Sequence, residues 1–284
     1  MVGKFPTIPF IIWIFILGYS LWGKSRGPEK KLKKQFKMKK LITTIDIHEV
    51  NRFSALSDDW WKKGGAFAPL HRLTPVRMKF LRNALKSHQK VGSSDERPFC
   101  GMKILDVGCG GGLLTEPVTR LGGTVTGIDA SREAIGAAVQ HSKLSGLEIN
   151  YLTGEVATAF KFGEKFDVVI ASEILEHVLD PRPFIAELTK LMTRDGILIL
   201  TTLNRSLKSL LGAKVLAEYM LRIIPMETHS WTKFIKPAEL QNLLADFELE
   251  IRLLNGISYK VMLNDFILDQ NLSMNYAVSA AFRN

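Results

Sequence analysis

The stretch ILDVGCGGGLLTEPVTRLGGTVTGID, from Ile104 to Asp129, leaves few folds open to this chain. Ile104, Leu105 and Val107 form an apolar run broken only by Asp106, the pattern of a buried parallel strand. Gly108, Gly110, Gly111 and Gly112 follow, and such a loop lets a ligand approach bare backbone. A short helical pattern over Leu113–Leu121 and a strand over Thr124–Ile128 complete a βαβ unit that ends in Asp129. Units of this kind build open α/β sheets, which bind ligands in the crevice outside the carboxyl ends of their strands. A carboxylate at Asp129 falls where it can accept both hydroxyls of a ribose.

Two classes of cofactor use a glycine loop like this one. Dinucleotide folds carry G-x-G-x-x-G, with the helix N-terminus aimed at a pyrophosphate. Counted from Gly108 the frame here is G-C-G-G-G-L, which puts Leu113 at the third glycine position. Asp106 is also a poor neighbour for a pyrophosphate. It suits a cationic ligand, such as the sulfonium and amino group of S-adenosylmethionine. The pattern D-x-G-x-G-x-G with an acid after the second strand resembles that of Rossmann-like methyltransferases. NAD binding and a purely structural βαβ unit are the competing readings, and the acids at both strand ends favour the methyl donor.

The formal net charge of +10 belongs almost entirely to one segment. Residues 1–40 hold ten Lys or Arg and one acid, so the rest of the chain is nearly neutral. A nucleic-acid groove would spread basic residues over the folded domain, so no nucleic-acid partner is expected. Phe5 to Trp22 is an uncharged stretch of 18 residues, about 27 Å long as a helix and just enough to cross a bilayer. Lys24 to Lys40 then reads as a positive-inside flank, a solvated linker or a contact with anionic lipid. A cleaved secretory signal and an organellar targeting segment are the alternatives to an anchor. Cys100 and Cys109 are the only cysteines, which implies neither a disulfide framework nor a thiolate metal site.

Phe53, Leu56, Trp60 and Trp61 fall on one face of an expected helix, as core packing or as a lid over the cofactor site. Thr74-Pro75 reads as an N-cap followed by proline at the first helical position. The helix they open carries Val76, Phe80, Leu81 and Leu85 inward, with Arg77 a cation one turn in. Ser131 caps the next helix, through Lys143. Glu148–Leu152, Phe166–Ala171 and Ile197–Leu203 are expected strands, and Asp180-Pro181 opens an amphipathic helix. Phe247–Leu254 and Met274–Ala281 suit a closing antiparallel pair. The expected fold is therefore α/β, a Rossmann-like sheet of seven mostly parallel strands.

Two further segments bear on chemistry. Glu173, Glu176 and His177 follow the fourth strand at i, i+3 and i+4, so on a helical turn their side chains share one face. Two carboxylates and an imidazole there could hold Mg²⁺ or Mn²⁺, with Zn²⁺ also open. Capping, ion pairing and core packing are the competing uses. Asn204 to Pro237 is extra to a minimal fold. Its stripe of Gly212, Ala213, Leu216, Tyr219, Met220, Ile223 and Ile224 reads as core or as a monotopic membrane contact.

Taken together, FSALSDDWW, PLHRLTPVRMKFL, LDVGCGGGLLTEPVTRLG, TGIDAS, FDVVIASEILEHVLDP and AEYMLRIIPMETHSWTKFIKPAEL resemble the ubiquinone-biosynthesis O-methyltransferases over about residues 45–284. The resemblance implies a class I S-adenosylmethionine-dependent fold, with residues 99–203 as the cofactor-binding core behind a helical cap at 45–98. Residues 1–44 would be an anchor or targeting segment with a basic linker, 204–237 a membrane-associating insertion, and 238–284 a closing helix and strands. It implies cofactor contacts from Arg77, Asp106, Gly108, Gly110, Asp129 and Ser172, with Arg77 on the cofactor carboxylate. It also implies that Glu173, Glu176 and His177 form a catalytic metal site. The implied partners are a polyprenylated catechol substrate, an anionic membrane surface and other ubiquinone-biosynthesis proteins. The implied place is the matrix face of the mitochondrial inner membrane, or the cytoplasmic face in a bacterium. The chain departs from the family pattern at Lys62, Thr74, Gly154-Glu155 and Ser230, none of which belongs to the carboxylate–histidine group.

Overall fold

The computed structural model describes residues 44–88, 96–159, 163–206 and 231–283. Thr43–Asn284 makes one compact unit. The apolar segment at 5–22, the basic run at 24–40 and most of the 204–237 insertion lie outside the described residues. No helix among the described residues is long and apolar enough to cross a membrane.

The sheet has eight strands in the order β3-β2-β1-β4-β5-β8-β6-β7. They are β1 (Lys103–Val107), β2 (Thr124–Asp129), β3 (Asn150–Thr153), β4 (Phe166–Ser172), β5 (Met192–Leu203), β6 (Leu249–Lys260), β7 (Asp265–Asp269) and β8 (Asn275–Phe282). The first five run parallel, and β8, β6 and β7 pair antiparallel beyond β5. This corrects the expected seven strands: β7 is an added edge strand on β6. The chain leaves β1 for β2 on one side and takes up β4 on the other, so a crevice opens where these strands end.

Strand burial shows why both faces are apolar. Along β1, Ile104 packs under one helical layer and Leu105 under the other, and Val168, Val169, Ile170 and Ala171 alternate likewise along β4. That is the period-two pattern of a doubly covered parallel strand. One layer includes α2 (Ala68–Ser87) and α3 (Thr115–Arg120); the other includes α6 (Pro181–Leu191) and α7 (Pro237–Ala245). The helix α1 (Ile47–Ser54) precedes these in sequence, and α4 (Arg132–Leu144) and the single turn α5 (Val156–Ala159) lie between α3 and α6. The caps at Ser131 and Asp180 form as expected, their side chains accepting from Ala134 N and Arg182 N.

Two expected helices differ. Thr74-Pro75 opens nothing: α2 begins at Ala68 and runs through Pro75. A proline in mid-helix costs about 3 kcal/mol. Leu73, Val76, Phe80, Leu81 and Leu85 are all buried on this helix, each contributing about 1.5–3 kcal/mol, so packing outweighs the break. The Thr74 hydroxyl donates instead to the Leu70 carbonyl one turn back, 2.9 Å away. Phe53, Leu56, Trp60 and Trp61 do not share a helix either. α1 stops at Ser54, a 3-10 turn spans Ser57–Asp59, and the four side chains meet only through packing around Phe67 and Leu113.

Candidate active site

The glycine loop leaves β1 with Gly108, Gly110 and Gly112 all at positive φ. At Gly112 the reason is steric as well as conformational, since a Cβ would lie 2.4 Å from the Tyr151 hydroxyl. Asp129, at the end of β2, closes the loop from the other side. Its Oδ2 accepts from Gly110 N at 2.9 Å and its Oδ1 from Ser131 N at 2.8 Å. The Asp129 carboxylate thus stands beside the glycine backbone, and burial pushes its pKa up.

Asp106 projects from β1 towards the α2 and α3 layer and is buried. Its Oδ2 accepts from Thr115 Oγ1 at 2.6 Å. Burial pushes its pKa up to about 6, against the lowering effects of the Thr115 hydrogen bond and the Arg77 charge. Arg77 reaches in from α2 and is itself only 6% exposed. Its Nη2 lies 3.7 Å from Glu173 Oε1, an ion-pair distance, yet neither Nε nor Nη2 has a hydrogen-bond partner. A buried guanidinium with two unpaired donors fits an anionic group brought by a ligand, because a buried donor left unmade costs about 1–3 kcal/mol.

The end of β4 differs from expectation. Glu173 sits at φ 53°, so the segment leaves the strand through a left-handed residue rather than a helical turn. No single helical turn therefore aligns Glu173, Glu176 and His177. Glu173 is held by β5 and β8, with Thr201 Oγ1 donating to Oε1 at 2.8 Å and Asn275 Nδ2 to Oε2 at 3.3 Å. Ser172 Oγ lies 2.8 Å from Thr201 Oγ1, within the same group. Glu176 is buried and turns onto Thr202, whose hydroxyl donates to Oε2 at 2.7 Å. Burial and the neighbouring Glu173 charge push the Glu176 pKa up to about 7, opposed by His177. His177 Nδ1 faces Glu49 Oε2 at 3.2 Å. Burial lowers the basicity of His177, but the Glu49 hydrogen bond and the charges of Glu176, Glu49 and Glu173 outweigh it and raise its pKa.

The three side chains are therefore not gathered in the way their spacing implied. Among the described residues no three His, Cys, Asp or Glu side chains are arranged to hold a metal ion. As placed, each of the three donors is engaged by a different neighbour. Thr201, Thr202, Asn275 and Glu49 complete this group, and none was singled out from sequence. Asp46-x-x-Glu49 carries a usable signal, an N-cap with an acid three residues on; Asp46 does cap α1. The two threonines had only their place at the end of the ILIL run in β5.

The double tryptophan covers the glycine loop. A Cβ at Gly111 would lie 2.5 Å from Trp60 Cγ, and one at Gly110 would lie 2.3 Å from Trp60 Cη2. The Trp60 indole stacks on Phe67 with centroids 3.7 Å apart, while its Nε1 is buried without a partner. Trp61 Nε1 donates to Gly111 O at 3.0 Å, and its ring stacks on His141.

A family model described as a methyltransferase domain matches residues 105–200. A ubiquinone biosynthesis O-methyltransferase from Pelagibacter ubique (strain HTCC1062) is 40% identical over 235 residues, 83% of this chain and 97% of the relative. One from Caulobacter sp. (strain K31) is 41% identical over 238 residues, 83% of this chain and 94% of the relative. Among solved structures, magnesium protoporphyrin IX methyltransferase (ChlM) from Synechocystis PCC 6803 with bound SAH superposes with a TM-score of 0.59. It is 20% identical and covers 84% of this chain and all of that one, a likeness of fold.

Proposed function

Because the chain belongs to the ubiquinone biosynthesis O-methyltransferases, we propose that it methylates a phenolic oxygen on polyprenylated dihydroxybenzoate and demethylubiquinol intermediates, with S-adenosylmethionine as donor. The observation that carries this reading is identity of about 40% spread over nearly the whole length of the relatives. The site supports it in detail. Asp106 offers a buried acid to the cationic end of the cofactor, and the unpaired donors of Arg77 suit its carboxylate. Gly108 and Gly110 admit it to the backbone, and Asp129 suits its ribose. Ser172 lines the same strand end.

A phenol ionises near pH 10, so at neutral pH the acceptor is a poor nucleophile until it loses its proton. The buried Glu176 and the partly buried Glu173 and His177 lie after the strand whose end bounds the crevice, and they are the groups in this reading that orient the ring hydroxyl and take up that proton. Bringing oxygen and methyl into line supplies a large share of the acceleration. The oxygen then forms a bond to the methyl carbon as the carbon–sulfur bond breaks, leaving S-adenosylhomocysteine.

The same reading includes a divalent ion on Glu173, Glu176 and His177, Mg²⁺ first with Mn²⁺ or Zn²⁺ as alternatives. The donor types within five residues support it. Each side chain would have to leave the partner described above, so no step here is routed through the ion. The reading further places the chain on an anionic membrane surface, at the matrix face of the mitochondrial inner membrane or a bacterial cytoplasmic face. The apolar stretch at 5–22 and the basic run at 24–40 support that placement, and a membrane-bound assembly with other ubiquinone-biosynthesis proteins is consistent with it.

The test is methyl transfer by the purified chain to a short-tail dihydroxybenzoate, followed by mass spectrometry with and without EDTA. A product heavier by one methylene is expected. No product with this acceptor or with a demethylated quinol would overturn the reading, and full activity in EDTA would remove the metal from it.

A further inference from the structure

Glu49 is an acid where nothing in the cofactor-binding reading calls for one. It lies in the first turn of α1, is only 7% exposed, and places Oε2 3.2 Å from His177 Nδ1 across 128 positions of sequence. Arg52, one turn on, donates Nη1 to both carboxylate oxygens at 3.3 and 3.2 Å. Phe53, a further residue on that face, meets the imidazole edge-on, with centroids 5.5 Å apart and planes at 89°. One face of α1 therefore supplies both a hydrogen bond and a wall for the same ring. The backbone is pinned beside it as well: Ile45 bridges Val178, and Leu179 N donates to Thr44 O at 3.0 Å. The segment that enters α1 is thus tied to the two residues that follow His177.

Which ring nitrogen of a histidine carries the proton is set by the partner of the other nitrogen. A carboxylate accepts and cannot donate, so in the neutral ring Glu49 selects the tautomer with hydrogen on Nδ1 and a lone pair on Nε2. Both uses open to His177 in the proposed reaction, proton acceptor or metal ligand, need that lone pair. We propose that Glu49 is a positioning residue for methyl transfer, fixing the tautomer and orientation of His177 from the N-terminal helix. This inference rests on the methyltransferase reading, and it makes α1 part of the reaction machinery rather than a covering layer alone.

The test uses the full chain and its Glu49→Gln and Glu49→Asp variants. An amide can donate as well as accept, so E49Q removes the tautomer preference while keeping the shape. Three quantities are read: the ¹⁵N resonances of the His177 ring, turnover on the short-tail dihydroxybenzoate, and cofactor affinity by calorimetry. The wild type is expected to show the Nδ1–H form and E49Q to lose it. The kcat of E49Q should fall by about ten- to a hundred-fold, the usual effect of removing such a supporting partner. Cofactor affinity should stay within about two-fold, and E49D should recover part of the turnover. Unchanged kcat in E49Q, or a cofactor affinity that falls in step with kcat, would overturn the proposal. Should E49Q not fold, E49D carries the same test, with a partial loss of kcat at unchanged cofactor affinity expected and no loss overturning it. An inactive wild type would instead refute the reading of function, while the ring resonances would still report on Glu49.

Discussion

Replacing Asp106 with Asn should make the cofactor-free protein more stable and a worse binder of S-adenosylmethionine. Asp106 is 3% exposed, and burial moves its pKa from 3.8 to about 6 despite a hydrogen bond from Thr115 and the Arg77 charge. At about 1.36 kcal/mol per pH unit, holding this carboxylate ionised costs the folded state about 3 kcal/mol once the pH is well above 6. Because the folded pKa is raised, the folded protein binds the extra proton. The cost is therefore absent below pH 3.8 and grows as the pH rises from 3.8 through about 6. Asn keeps an acceptor for Thr115 and has no charge to desolvate, and Arg77 retains Glu173 as a partner. The variant should melt above the wild type at pH 8 by about 5 °C, with the gap closing towards pH 4.5. Differential scanning calorimetry across that range measures it, since the raised pKa values of Asp129 and Glu176 are common to both proteins and cancel. With saturating cofactor the gap should shrink, because the variant lacks the charge proposed to face the sulfonium, and a binding loss of about 1.5–3 kcal/mol offsets half or more of the gain. A gap that does not change with pH, or a wild type more stable than D106N at pH 8 without cofactor, would refute the burial argument.

Three further outcomes follow from the same geometry. Gly110→Ala should weaken cofactor binding by more than ten-fold and shift tryptophan emission, since its Cβ would lie 2.3 Å from the Trp60 ring at a φ of 52° that Ala resists; fluorescence titration reports both. Arg77→Lys should cost the cofactor about ten-fold in affinity by calorimetry, because an ammonium cannot present the two donors that now lack partners. Glu176→Ala should abolish methylation while leaving cofactor affinity unchanged, as Glu176 bonds Thr202 and not the glycine loop; retained turnover would remove Glu176 from the chemistry.

Much of the fold could be read locally, and the reason is that local physics decides those parts. The apolar runs of β1, β4 and β5 are short and bounded by turn residues, as buried strands are, and Ser131 and Asp180 satisfy backbone donors one turn away wherever the helix lies. The placement of Asp106, the glycines and Asp129 around one loop follows from a βαβ unit of fixed length. Long-range packing decided the remainder. Pro75 looked like a helix start until buried neighbours on α2 proved worth more than the broken turn. The carboxylates after β4 looked convergent under a 3.6-residue period that Glu173 does not follow, because Thr201 and Asn275, from distant strands, hold it in a left-handed turn. Residue types and spacing within about five positions therefore determined which chemistry this chain could carry. Which side chains face one another across the crevice depended on partners up to 128 residues away, such as Glu49 for His177, and no local pattern encodes that distance.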